Sequence, residues 1–231
     1  MLESLKQQVF ECNLDLVKQG LVIHTWGNVS GRDPHTGLIV IKPSGVAYDK
    51  MKPEDMVVLE PDGKVVEGRF KPSTDAPTHL VIYDAYKSVG GIVHTHSTYA
   101  TAWAQAGRPV PPFGTTHADH YYGAVPCTRL LSDAEINSDY ETNTGNVIIE
   151  TLGSVNPLTI PSVLVNSHGP FCWGENAEKA VYNAVALEEI CRMAFYTVLL
   201  GRQEPVNQAL LDKHFNRKHG RNAYYGQDKN P

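Results

Sequence analysis

Apolar positions mark out most of the secondary structure of this chain. Leu5, Val9, Cys12 and Leu16 recur at helical spacing and predict a helix over 3–19, closed by Gly20. Leu38-Ile39-Val40-Ile41 is an unbroken apolar run and predicts a buried strand. Met56 to Glu60 and Lys64 to Glu67 flank Pro61-Asp62-Gly63, which predicts a hairpin. Ser73-Thr74-Asp75 supplies capping residues for a helix running to about Tyr86, before Gly90-Gly91. Ile92-Val93 leads a short strand into His94-Thr95-His96, and a helix follows from about Thr98 to Ala106. Residues 107–128 are rich in Pro, Gly and Thr and predict a long loop. Ser132-Asp133-Ala134-Glu135 spells a capping box. The β-branched runs Asn146 to Glu150 and Val163 to Val165 predict strands. Asn176 opens the longest helix, 177–200, closed by Gly201, and a last helix from about 207 to 219 stops at Gly220.

Strands and helices are mixed and the connections short, so the class is α/β with a helix-covered sheet. The hairpin makes that sheet at least partly antiparallel. No repeat or linker divides the 231 residues, so residues 1–231 are read as a single domain. A chain of this length buries roughly 70–75% of its unfolded surface and needs no disulfide to fold.

Composition narrows the function classes. Twenty Lys+Arg against 25 Asp+Glu give a net charge of −5, which excludes the electrostatic footprint of a general nucleic-acid binder. An anionic ligand would need a locally positive site or backbone N–H donors. Cys12, Cys127, Cys172 and Cys191 form no C-x-x-C pair, so they read as reduced thiols of a cytoplasmic protein. A transition-metal site must then come from the ten histidines and the carboxylates. The N-terminus has no signal-peptide pattern, and no apolar run is long enough for a membrane span. Neither a G-x-G-x-x-G nor a Walker loop is present.

Several residues could carry chemistry. His94 and His96 are two apart where a strand runs out, so both side chains face one way. Alone, H-x-H suits a metal no better than it suits a polar strand cap. His168 ends a second strand before Gly169-Pro170, and three such imidazoles fit a catalytic metal site with open positions. Lys42-Pro43-Ser44-Gly45 and Lys71-Pro72-Ser73-Thr74 are look-alike turns offering hydroxyls and backbone N–H groups. With Gly27-Asn28 they could cradle one phosphate, though each alone is more simply an ordinary turn. Asp75 either ligates metal, moves protons or only favours its helix dipole. Asp119 lies in the long loop, where either an Asx-turn or a functional carboxylate fits. Tyr225, near the tail, either packs or serves as an acid or base.

Together these residues resemble the class II aldolase/epimerase (aldolase/adducin-type) family. The likeness is carried by Thr25-Trp26-Gly27-Asn28-Val29-Ser30, the two Lys-Pro-Ser turns, and Gly91-Ile92-Val93-His94-Thr95-His96-Ser97. It continues through Gly114-Thr115-Thr116-His117-Ala118-Asp119, Ser167-His168-Gly169-Pro170, and Lys218-His219-Gly220 before Tyr224-Tyr225-Gly226. The resemblance implies a three-layer α/β/α sandwich around a mostly antiparallel sheet. It implies a homotetramer with active sites between subunits, acting on a small sugar phosphate, with no nucleic-acid or membrane partner. By the same likeness His94, His96 and His168 hold Zn2+, for which Mn2+ or Co2+ could substitute. Asp75 stands beside the metal, and Gly27, Asn28, Ser44, Gly45, Ser73 and Thr74 bind phosphate. Asp119 and Tyr225 form the acid/base pair, Asp119 reaching across a subunit interface, with His214 near the substrate. Asp75, where aldolases of the fold tend to carry glutamate, favours the epimerase branch.

The implied activity is inversion at C4 of a ketopentose phosphate. The C4 hydrogen is β to the C2 carbonyl and not acidic, and no nicotinamide site is evident. Cleavage and re-formation of the C3–C4 bond is the remaining route. A sugar-phosphate aldolase, a dehydratase or a non-catalytic interaction domain of the same fold are the alternatives.

Overall fold

Short strands buried on both faces need neighbours on both edges. In the computed structural model, which describes residues 2–226, six such strands and a half-exposed edge strand, Val65–Glu67, form one sheet. The chain runs α1 (Glu3–Lys18), β1 (Gly27–Arg32), β2 (Ile39–Ile41), β3 (Val57–Leu59), β4 (Val65–Glu67), α2 (Ala76–Ala85) and β5 (Gly91–Thr95). It continues α3 (Thr98–Gln105), α4 (Thr115–Ala118), α5 (Asp133–Ile136), α6 (Tyr140–Leu152), β6 (Ser162–Val165), β7 (Gly169–Gly174), α7 (Ala177–Leu199) and α8 (Gln208–His219). The strand order is β4-β3-β2-β1-β5-β7-β6, and every neighbouring pair is antiparallel.

Alternation along β1 shows how the layers are made. The Asn13 side chain on α1 brackets Val29, accepting from its N–H and donating to its carbonyl. The next residue, Ser30, points the other way and bonds His79 and Tyr83 of α2, each at 2.8 Å. Gly31 turns back towards α1, where a Cβ would lie 2.9 Å from Val9 Cγ2. So α1 and α2 lie on opposite faces of the sheet. Helices α3 and α7 share the α1 face, and α6 packs on α2. The expected α/β/α sandwich is present.

Three segments differ from expectation. Residues 146–150 are not a strand but part of α6, whose buried face includes Val147 and Ile148. A Cβ on Gly145 would fall 2.6 Å from Val81 Cβ, so this glycine lets α6 close onto α2. Packing against α2 overrides the β propensity of Val-Ile-Ile. Gly27-Asn28 is the start of a strand, not a turn; the strand expected to end at His168 stops at Val165, and Gly169-Pro170 opens β7. The long loop 107–128 contains the single turn α4.

His117 of α4 is buried, and its ring lies 2.7 Å from the Gly123 carbonyl through Nε2. Its Nδ1 has no partner, and burial pushes its pKa down to about 4. The folded state therefore keeps this ring neutral where the unfolded chain binds a proton. That contribution is complete above pH ~6.5 and is lost as pH falls through about 4. His117→Gln should remove about 3 kcal/mol of the acid-dependent fall in unfolding free energy. Urea titrations at neutral and acid pH check this; an unchanged difference between the two pH values refutes it.

Candidate metal and substrate site

The site forms where the central strands run out at one end of the sheet. Antiparallel pairing of β5 with β7 places His94 opposite Phe171, and the two rings stack with centroids 4.2 Å apart. His94 Nδ1 lies 2.9 Å from the Pro170 carbonyl, so a neutral ring keeps its proton there and presents a lone pair at Nε2. His96, one residue beyond β5, brings its Nε2 to 3.1 Å from that atom. His168 occupies the β6–β7 turn beside Ser167, whose φ is +62°. Its ring centroid is 4.8 Å from that of His94 and 5.1 Å from that of His96. One ligand atom from each of the three lies within 4.8 Å of the others.

This donor set fits a divalent cation. Burial, reinforced by His94, holds His96 below the ordinary histidine range. Burial, with His94 and His96, pushes His168 down to about 4. Both rings are neutral near pH 7, as ligands must be. The hydroxyl of Tyr140 lies 3.5 Å from His168 Nδ1, on the side of the ring that a ligating Nε2 leaves free.

Asp75 is the N-cap residue of α2 by position, but its carboxylate makes no cap bond. It accepts instead from Asn28 Nδ2 at 2.6 Å. Burial alone would raise this carboxyl; the neighbouring His94 and His79 and the Asn28 bond outweigh it and hold it below the usual range. Gly27, at φ +130°, makes the approach of β1 possible, since a Cβ would sit 2.9 Å from the His94 carbonyl oxygen.

The two Lys-Pro-Ser turns pair with each other. Ser44 N–H donates to the Lys71 carbonyl at 3.0 Å, and Ser73 N–H donates to the Lys42 carbonyl at 2.9 Å. These two N–H groups are therefore not free for a ligand, as the turns alone suggested; the hydroxyls of Ser44 and Thr74 remain, while that of Ser73 is shared with Asp75, donating to Oδ2 at 3.4 Å and accepting from the N–H at 3.3 Å. All of Gly27, Asn28, Ser44, Gly45, Ser73, Thr74, Asp75, His94, His96 and His168 line one cavity of about 420 Å³.

Sequence reasoning gave Lys42 no role beyond its turn. Its ammonium is buried, bonded among the described residues to the Pro43 and Val46 carbonyls at 3.3 and 3.1 Å, and lies 4.9 Å over the Tyr48 ring. Burial pushes its pKa down to about 8. A buried cation lining a cavity, with no carboxylate partner among the described residues, is suited to an anionic ligand. A larger cavity, about 720 Å³, lies at the opposite end of β1. Its half-buried cation, Arg32, is already spent on the carbonyls of Tyr83 in α2 and of Tyr86, Lys87 and Val89 just beyond it.

Asp119, His214 and Tyr225 do not line the histidine cavity. They meet elsewhere, where α4 packs on α8. Asp119 accepts from His214 Nδ1 at 3.0 Å and from Arg217 at 2.9 and 2.6 Å. Partial burial would raise its carboxyl, but Arg217, His214 and Lys218 hold it below the usual range. Tyr225 stands beside Arg217 and is 61% exposed, available to a neighbouring molecule. His120, without an assigned role from sequence, packs against Tyr182, and burial pushes it down to about 4.

The fold and the three-histidine pocket define a class, and the comparison agrees. Residues 7–195 match the Class II Aldolase and Adducin N-terminal domain, and the chain belongs to that family. Among individual relatives it is 59% identical to "L-ribulose-5-phosphate 4-epimerase UlaF" of Salmonella paratyphi B, over 98% of this chain and 100% of that one. The same figures hold for the protein of that name from Salmonella typhi. Solved structures share the fold. An L-fuculose 1-phosphate aldolase superposes with a TM-score of 0.79 at 23% identity, covering 93% of this chain and 95% of the other. The L-fuculose-1-phosphate aldolase of Thermus thermophilus gives 0.67 at 24% identity, covering 86% and 98%.

Proposed function

We propose that this protein is a metal-dependent epimerase that interconverts L-ribulose 5-phosphate and D-xylulose 5-phosphate. One observation carries the reading. Three imidazoles, a carboxylate, a buried lysine and four hydroxyl-bearing residues converge on one pocket. They do so in a chain 59% identical, nearly end to end, to a 4-epimerase.

His94, His96 and His168 would hold the ion, Zn2+ by preference, with Mn2+ or Co2+ as substitutes, and Asp75 stands beside it. A divalent ion there supplies Lewis-acid stabilisation of the negative charge that develops when C3–C4 breaks. The protein's own groups do the rest. The hydroxyls of Ser44, Ser73 and Thr74, with Gly27, Asn28 and Gly45, hold the phosphate of the glycolaldehyde phosphate fragment. Lys42 adds positive charge beside that anion. A base removes the C4 hydroxyl proton as C3–C4 breaks, leaving an aldehyde and the enediolate of dihydroxyacetone. The aldehyde rotates, the bond re-forms on its other face, and an acid returns a proton to the C4 oxygen. Asp119 and Tyr225 divide those two tasks.

Because Asp119, Tyr225 and His214 lie away from the pocket of their own chain, we place them in the pocket of a neighbouring subunit of a homotetramer. Exposed apolar side chains at the end of α7 support assembly: Leu199 and the following Leu200 are 67% and 89% exposed, and Tyr196 and Phe195 lie beside Tyr99. We take residues 1–231 as one domain working in the cytoplasm. Among the described residues no helix is long and apolar enough to cross a membrane.

The test is product analysis. Zinc-loaded protein given L-ribulose 5-phosphate should form D-xylulose 5-phosphate and stop doing so after EDTA treatment. Free glycolaldehyde phosphate as the main product would make it an aldolase. No reaction from metal-replete protein would overturn the epimerase reading and leave an aldolase or dehydratase of another substrate, or a non-catalytic member of the fold.

A further inference from the structure

On the reading of Asp119 and Tyr225 as the acid/base pair, two adjacent residues of α8 reach both: Lys218, its ammonium 3.9 Å from Asp119 Oδ2 and 4.5 Å from the Tyr225 ring centroid, and Arg217, which is the one of the two that hydrogen-bonds the carboxylate. Arg217 donates through Nε to Asp119 Oδ1 at 2.9 Å and through Nη2 to Oδ2 at 2.6 Å. Its guanidinium carbon lies 5.0 Å from the centroid of the Tyr225 ring. Its backbone carbonyl accepts from the N–H groups of Tyr224 and Tyr225, both at 3.0 Å. Asp119 comes from the loop at α4 and Tyr225 from the segment after α8, so nothing local sets their relation.

We propose that Arg217 is the positioning residue that sets the Asp119 carboxylate and the Tyr225 ring in register as one unit. The bidentate fork fixes the plane of the carboxylate, which a lysine point charge does not do. Arg217 is not what docks α8. Phe215 packs against Tyr122 at 4.9 Å, and Tyr122 hydroxyl donates to Asp212 at 2.7 Å, both independent of it. The two proton transfers occur at one oxygen, C4–O, on opposite faces of the aldehyde, so the spacing of the pair matters. Misplacement of a reacting group by about 1 Å costs roughly 10²-fold in rate.

The experiment compares Arg217→Ala and Arg217→Lys with Asp119→Asn and Tyr225→Phe in the metal-loaded full chain. Arg217→Ala should lose roughly 10²-fold in kcat with KM little changed, while metal content and Tm hold. Millimolar guanidinium should restore much of that loss, and Arg217→Lys should stay low. The acid limb of the kcat profile should move to higher pH, because the fork is one of the contacts that hold Asp119 ionised. The other groups facing Asp119 are His214, Lys218 and His219 of α8 and its neighbour His120, and all remain in the variant. If Asp119→Asn and Tyr225→Phe lose activity but Arg217→Ala keeps wild-type kcat and profile, the positioning role is wrong. Loss of kcat together with metal or Tm, or loss that guanidinium does not relieve, also overturns it. If Asp119→Asn and Tyr225→Phe themselves keep wild-type kcat, the acid/base reading beneath it falls first.

Discussion

A His94→Asn protein is expected to fold and yet to lose its divalent ion on dialysis, with kcat falling by about 10³-fold or more. His94 is the centre of the cluster: it touches His96, His168 and Phe171, and its Nδ1 contact with Pro170 aims Nε2 at the shared focus. Asparagine is shorter and its amide cannot bring a lone pair to that point while keeping the Pro170 bond. Losing one of three nitrogens removes much of the affinity, and with it a Lewis-acid contribution of several kcal/mol. Each ~1.4 kcal/mol is tenfold in rate. The fold should survive, because the ring's stacking on Phe171 is one contact in a large core. Metal analysis after dialysis decides the matter. One ion per chain in the variant, as in the wild type, would remove His94 from the ligand set.

Asp119→Asn is expected to lower kcat by roughly 10²–10⁴-fold with the ion still bound. The carboxylate lies outside the histidine cavity, so metal content should not follow activity. The amide is nearly isosteric but turns one acceptor into a donor. It then faces the donors of Arg217 and His214, so the network loosens as well as losing its charge. Steady-state kinetics with parallel metal analysis is the check. Near-wild-type turnover would take Asp119 out of the chemistry.

Elements whose signals are local were legible in the sequence. The Asn176 side chain caps α7 at Lys179 N–H, and Ser132 with Glu135 forms the capping box of α5. Asn207 caps α8, and Gly20 takes the left-handed conformation, φ +69°, after α1. Such signals act within one turn of helix, so a single sequence shows them. What depended on a distant partner was misread. Val147 and Ile148 look like a strand and became the face of α6 that packs on α2. Gly27–Arg32 carries little apolar character, and β7 contains Gly169 and Pro170. Each is a strand because neighbours on both sides supply the ladder.

The site divides the same way. The sequence by itself placed His94 and His96 on one side of a strand end and singled out His168, Asp75 and the paired Lys-Pro-Ser turns, because residue type and two-residue alternation are local properties. Only the tertiary structure brought His168 to the other two, through the β5–β7 pairing. It also spent the Ser44 and Ser73 N–H groups on each other, exposed Lys42 as a buried cation, and joined Asp119 to Arg217 and Tyr225. These are contacts between segments far apart in the chain. They are chosen by which faces must be buried together, and no local pattern encodes them.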